Sequence, residues 1–192
     1  MAGTPSCART GEVFSGVWCS SRRGLGDVGN MPTGYSGQGF SPRGEKGRYV
    51  LPAAFRKAIA PDENSPRVLC LARHDRWNCL NGFGLDRTGN FETLIDRAEE
   101  SALRLGKDFD RELRSMQMWN FTEVSFDASG RFILPDHLAD LCGIDGGIGF
   151  LGGSPFFTLW SPASLYAMGA GFEGQQAIVR KLEGDLGKGK RK

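Results

Sequence analysis

The chain has 192 residues, 40% of them hydrophobic, which is enough to bury a core in one large domain or two small ones and excludes a wholly disordered protein. Its 24 Lys and Arg against 22 Asp and Glu leave a formal charge of +2, and taken as a total this is no signature of nucleic-acid binding. Cys7, Cys19, Cys70, Cys79 and Cys142 form no C-x-x-C pair and have no histidine at ligand spacing, and no apolar run approaches the ~18 residues of a membrane span, so neither a disulfide framework, a zinc site nor a membrane helix is indicated.

From the N-terminus, residues 1–34 are rich in Gly, Ser and Arg and read as a poorly ordered extension. They hold no uninterrupted apolar signal-peptide core, so the expected compartment is the reducing cytoplasm. The pattern becomes regular after Met31, where the functional protein is expected to begin; the stretch before it is a dispensable extension or an over-called start.

Strand-like and turn-like segments then alternate. Gln38 to Ser41 reads as a strand, Glu45-Lys46-Gly47 as a turn, and Arg48 to Leu51 as a second strand ended by Pro52, which suits the first position of a short helix over 52–60. A hairpin follows, Val68 to Ala72 and Trp77 to Asn81 around His74-Asp75, which would place Cys70 and Cys79 opposite each other as buried free thiols. Phe91, Leu94, Ile95, Ala98, Ala102 and Leu105 keep a helical period behind a capping Asn90, and Phe109, Leu113 and Met116 keep another behind Asp108, with a break near Gly106.

Thereafter the first part repeats. Gly47-Arg48-Tyr49-Val50-Leu51-Pro52 recurs 83 positions later as Gly130-Arg131-Phe132-Ile133-Leu134-Pro135, and Phe55, Ala58 and Ile59 fall opposite Leu138, Leu141 and Cys142. The second copy predicts a strand over Thr122 to Phe126, a turn at Ala128-Ser129-Gly130, a helix over 135–142 closed by Gly143, and a hairpin of Ile148 to Leu151 with Phe156 to Trp160. A last helix is expected near Pro162 to Met168, with Gly169 and Gly171 loosening the chain before a tail. From Arg180 to Lys192 that tail has six basic residues against Glu183 and Asp185. The order is an extension over 1–34, a module over 35–84, linking helices over 85–118, a second module over 119–168 and a flexible basic tail over 169–192.

The pattern K-G-R-φ-φ-φ-P-x-x-φ-R at Lys46 to Arg56, repeated as D-x-x-G-R-φ-φ-φ-P-x-x-φ at Asp127 to Leu138, resembles the paired swapped-hairpin modules of the MraZ family, relatives of AbrB and SpoVT. The resemblance runs over roughly Tyr35 to Tyr166 and includes the G-x-x-x-F-x-x-W character of Gly153 to Trp160. It implies an α+β chain of two tandem AbrB-like modules forming a pseudo-dimeric swapped-hairpin β-barrel with linking helices. It further implies a cytoplasmic, nucleoid-associated transcriptional regulator, a repressor by family expectation, of the division and cell-wall gene cluster including its own operon. Such a regulator binds double-stranded DNA at promoter direct repeats as a homo-oligomeric ring, with no cofactor and no membrane.

The family's D-x-x-x-R motif carries over intact to Asp127 and Arg131. In the first copy the arginine is Arg48, but the acidic place is Gly44, so the acid is absent or displaced to Glu45. An arginine beside a tight turn protrudes from a stiff scaffold, its planar fork suits bidentate contact with guanine or phosphate, and a neighbouring carboxylate such as Asp127 holds the fork in one orientation. The plainer alternative is that Asp127 and Arg131 only staple their hairpin. The first copy has Lys46, Arg56 and Lys57 where the second has Ser129, Ala139 and Asp140, so it is expected to dominate phosphate binding. The candidate DNA contacts are Arg43, Lys46, Arg48, Arg56 and Arg131, with Asp127 as orienting acid.

Enzyme action has little support. His74 and His137 lie at no recognised catalytic spacing from a Cys or Ser, and the glycine run from Gly143 to Gly153 lacks the Lys-Ser/Thr of a phosphate loop and reads as hairpin turns. The rival readings are an oligomeric protein-interaction scaffold with nonspecific DNA binding and an antitoxin-type AbrB-like regulator.

Overall fold

The computed structural model describes residues 34–189; the expectations for residues 1–33 and for the last three basic residues lie outside them. The first copy supplies β1 (Gln38–Pro42), β2 (Arg48–Val50), α1 (Ala53–Ile59), β3 (Val68–Arg73) and β4 (Leu80–Gly84). The linker forms α2 (Phe91–Arg104) and α3 (Arg111–Trp119). The second copy supplies β5 (Thr122–Ser125), β6 (Arg131–Ile133), α4 (Asp136–Cys142), β7 (Gly147–Gly152) and β8 (Phe157–Trp160), followed by α5 (Pro162–Tyr166) and α6 (Glu173–Gly189).

The copies interleave. One antiparallel sheet runs β1-β7-β8-β4-β3-β5, and β2 pairs with β6 in a separate two-stranded ribbon. Each copy's first strand therefore joins the other copy's sheet, β1 on β7 and β5 on β3. Exchanging the two copies maps this strand order onto itself in reverse, so the topology has a pseudo-twofold axis between β4 and β8.

Two expectations are corrected here. The segments either side of the Glu45–Gly47 turn are expected as a hairpin, but β1 pairs with β7 and β2 with β6, and the two form no ladder with each other; bonds from Gly44 N to Arg48 O and from Val50 N to the buried Ser41 Oγ, both 2.8 Å, connect them. Nor does the ladder close on itself: β1 and β5 stand at opposite ends of an open sheet, where a barrel was expected.

The core lies between the copies. Phe55 of α1 stacks on Phe157 of β8 with ring centroids 4.5 Å apart, and Tyr35 meets the same ring edge-on at 5.1 Å. Cys70 faces Phe83 across the β3–β4 ladder and not Cys79, because β4 begins only at Leu80. The residues before it are folded back: His74 Nδ1 accepts the Arg76 and Trp77 backbone N–H groups at 3.0 and 3.3 Å, and the Trp77 ring stacks on the imidazole. Both thiols are buried and free, and burial pushes Cys70 up to about 12. Of the glycines in the 143–153 run, Gly153 lies in the β7–β8 hairpin turn, its N–H donating to the Phe156 carbonyl at 3.0 Å, and Gly143 closes α4 in the left-handed conformation, while Gly147, Gly149 and Gly152 lie within β7 and not in turns.

The linker helices break at Gly106 as read, but their caps differ. Asn90 makes no side-chain cap bond, and α3 is capped by Asp110, which accepts from Leu113 N at 2.9 Å, in place of Asp108. Arg111 joins the two helices through Glu92, Asp96 and Glu99. The Leu113–Met116 face of α3 is exposed, as are Leu103, Leu105 and Trp119.

The tail read as flexible is helical over 173–189. Its apolar positions Ile178, Val179 and Leu182 form a helical stripe, and Val179 is fully buried over Gly149, where any side chain on the strand would displace it. Gln176 Nε2 donates to the Leu165 and Met168 carbonyls at 3.0 and 2.8 Å, closing the open end of α5, and the Tyr166 hydroxyl donates to Glu183 at 2.9 Å. Val179→Ala removes two buried methyls and should cost roughly 1.5 kcal/mol, read as a lower urea midpoint.

Candidate nucleic-acid interface

Residues two apart in a strand share a face, so the burial pattern of the ribbon sorts its six side chains. Tyr49 and Phe132 point into the core, directly opposite each other with ring centroids 6.0 Å apart. Arg48, Val50, Arg131 and Ile133 all point outward. The register sets Arg48 opposite Ile133 and Val50 opposite Arg131, so the two motif arginines, 83 residues apart in sequence, lie diagonally on one small surface. Neither the repeat nor its spacing showed this juxtaposition.

Two turns flank the ribbon, built differently. In the second copy Asp127 accepts from the backbone N–H groups of Ser129 and Arg131 at 2.9 and 2.8 Å, while its approach to the Arg131 guanidinium is loose, 4.0 Å. The bond from Arg131 N–H is the main reason this carboxyl sits below the usual carboxylate range, with Ser129 N–H and the Arg131 and Arg48 charges adding to it. Asp127 thus shapes the turn first and faces both arginines second. In the first copy no carboxylate stands at Gly44, and Glu45 makes no ion pair with Arg48 among the described residues. That turn is closed without a carboxylate, by the bond from Gly44 N to Arg48 O, with Lys46 in the left-handed region at φ 58° and Gly47 at 68°. For a lysine this conformation stores about 1–2 kcal/mol.

The six candidate residues therefore fall into two groups. Arg48, Lys46 and Arg131 are exposed, and Arg48 and Lys46 make no side-chain hydrogen bond or ion pair among the described residues; with Asp127 they surround the ribbon's outer face. Arg43 and Arg56 instead reach across to the second copy. Arg43 donates to the Asp145 carbonyl at 3.3 Å and lies over Gly47, and Arg56 donates to the Ala128 carbonyl at 3.3 Å and lies against Gly130. Each holds a turn from beside it. The counterpart of Arg56 in the second copy is Ala139, and the space left there is a cavity of about 370 Å³ bounded by Lys46, Tyr49, Ala139, Asp140 and Asp145.

Gly130 has φ 82°, and a Cβ there would come within 2.8 Å of the Leu51 carbonyl, whereas at Gly47 the nearest atom is Arg43's guanidinium at 3.6 Å. Gly130→Ala should therefore lose more than the roughly 1–2 kcal/mol of the backbone conformation alone, and Gly47→Ala about that amount; paired urea titrations order them.

Val50 and Ile133 were missed as candidates. The signal was present: an R-aromatic-β-branched triplet in a strand that buries its aromatic must expose the residues on both sides. Elsewhere, His137 is exposed, burial lowers the His74 pKa, and among the described residues no group of three or more His, Cys, Asp or Glu could hold a metal ion. No helix among them is long and apolar enough to cross a membrane.

No family model matches the chain. Individual proteins do, among them several described as transcriptional regulator MraZ. That of Parvibaculum lavamentivorans is 29% identical over 122 residues, covering 64% of this chain and 72% of the relative. Those of Roseiflexus castenholzii and Rhodospirillum rubrum are each 30% identical, over 118 and 124 residues, covering 62% and 64% of this chain and 74% and 76% of the relatives.

Proposed function

Since the chain belongs to the MraZ family of transcriptional regulators, we propose that it is a sequence-specific DNA-binding regulator whose contact surface is the outer face of the β2–β6 ribbon. The observation that carries this is the diagonal placement of Arg48 and Arg131 on an exposed two-stranded ribbon, an element whose width suits the major groove. Lys46 adds phosphate contact, while Arg43 and Arg56 act by fixing the two turns as well as by their charge.

By family resemblance the targets are promoter direct repeats upstream of its own operon in the division and cell-wall cluster, bound as a homo-oligomeric ring, with repression as the outcome. Charge supports the need for assembly. A protomer of formal charge +2 offers few phosphate contacts, each worth about one unit of salt slope, so tight binding requires several modules on repeated sites. The outward Leu103 of α2, Leu105 just after it, and Leu113, Met116 and Trp119 of α3 supply apolar surface for contacts between chains.

A gel shift on DNA upstream of its own gene, with repeats intact or scrambled, tests the reading. Retardation that depends on repeat sequence supports it. A uniform, salt-sensitive shift, or none, favours an interaction scaffold.

A further inference from the structure

We propose that Val50 and Ile133 are specificity-determining residues that read thymine methyl groups in the major groove. The proposal rests on the reading that the ribbon faces DNA. Both side chains occupy the same place in the two copies, and both are substantially exposed, at 45% and 55%. They alternate with the arginines: Ile133 opposes Arg48 and Val50 opposes Arg131, giving one apolar and one cationic diagonal. A solvent-facing strand position ordinarily carries a polar residue, and here the equivalent position of both copies carries β-branched hydrocarbon.

The cationic diagonal decides what covers the apolar one. Burial against a second protein's apolar surface would strip water from two guanidinium groups without replacing it, a penalty that hydrocarbon contact does not offset. Duplex DNA meets both demands together. Its major groove edges present the O6 and N7 acceptors of guanine for an arginine fork and the thymine C5 methyl for an aliphatic side chain. The spacing fits as well: side chains two residues apart on a strand stand about 6.8 Å apart, the rise of two base-pair steps at about 3.4 Å each. An arginine on guanine thus carries its strand neighbour to a base two steps away.

The test uses the full chain and a duplex of its own upstream DNA, made once with thymidine and once with deoxyuridine, which lacks only the C5 methyl. At fixed salt, wild type should bind the uracil duplex more weakly by about fourfold for each methyl covered. The Val50→Ala/Ile133→Ala variant should bind the thymine duplex as weakly as wild type binds the uracil one, with no further loss on uracil. Its melting curve checks the fold, and the wild-type comparison stands without it. Equal wild-type binding to both duplexes, while Arg48→Ala still weakens binding, would overturn the inference and leave the DNA reading intact. It is also overturned if the variant keeps the full thymine preference, or loses self-association with DNA binding unchanged. Failure of wild type to bind either duplex would overturn the underlying reading.

Discussion

Replacing Arg48 and Arg131 together with alanine should abolish repeat-specific DNA binding without lowering thermal stability. Both side chains lie outside the core, on strands whose inward residues are Tyr49 and Phe132, so the fold has no stake in their guanidinium groups. An arginine bidentate to guanine is worth about 1–3 kcal/mol of discrimination, and one that lies on phosphate adds about one unit to the salt slope. The single variants should not be equal. Arg131 is drawn toward Asp127 at 4.0 Å, whereas Arg48 feels that carboxylate only at longer range and, like Lys46 two positions away, makes no ion pair among the described residues, so Arg48→Ala should cost more. Anisotropy titrations over a series of salt concentrations measure affinity and slope together. If Arg131→Ala removed binding and Arg48→Ala left affinity and slope unchanged, the assignment of the stronger contact to the first copy would be wrong.

Phe157→Ala should destabilise the whole described unit by roughly 3–5 kcal/mol, the range for a fully buried phenylalanine. Phe157 belongs to the second copy, yet its ring stacks on Phe55 at 4.5 Å and meets Tyr35 at 5.1 Å, both in the first, as well as Phe150 of its own copy at 6.4 Å. Every strand of one copy pairs with a strand of the other, β1 with β7, β2 with β6, β5 with β3 and β4 with β8, so the two should unfold in one transition. Urea denaturation followed by tryptophan fluorescence and far-ultraviolet circular dichroism tests this. Separate midpoints for the two copies would contradict the shared core.

The local elements were legible because their signals are local. Pro52 and Pro135 before short apolar-striped helices, and Gly143 closing the second in a left-handed conformation, were all readable along the chain. Pairing was not, since alternation states which face a residue takes and nothing about which strand lies alongside. That is why Arg48 and Arg131 seemed to belong to separate hairpins, and why the bond from Arg56, a candidate DNA contact, to the Ala128 carbonyl of the other copy was not legible. The C-terminal helix was obscured differently. Gly174, Gly184, Gly187 and Gly189 weigh against helix by propensity, but Val179 on Gly149 and the bonds from Gln176 to the end of α5 outweigh them.

Pairs of modules on separate chains must carry the same residue at both symmetric places, so whatever one does the other repeats in mirror order along a duplex. Joining the copies through α2 and α3 removes that obligation. Arg56 stands where the second copy has Ala139, Arg43 where it has Phe126, and Gly44 where it has Asp127. The ribbon consequently has a head and a tail: one end is flanked by a strained, cationic turn and the other by a carboxylate-stapled one. On the proposed reading that the ribbon meets DNA, such a surface would distinguish the two directions of a strand and would suit sites that all point the same way.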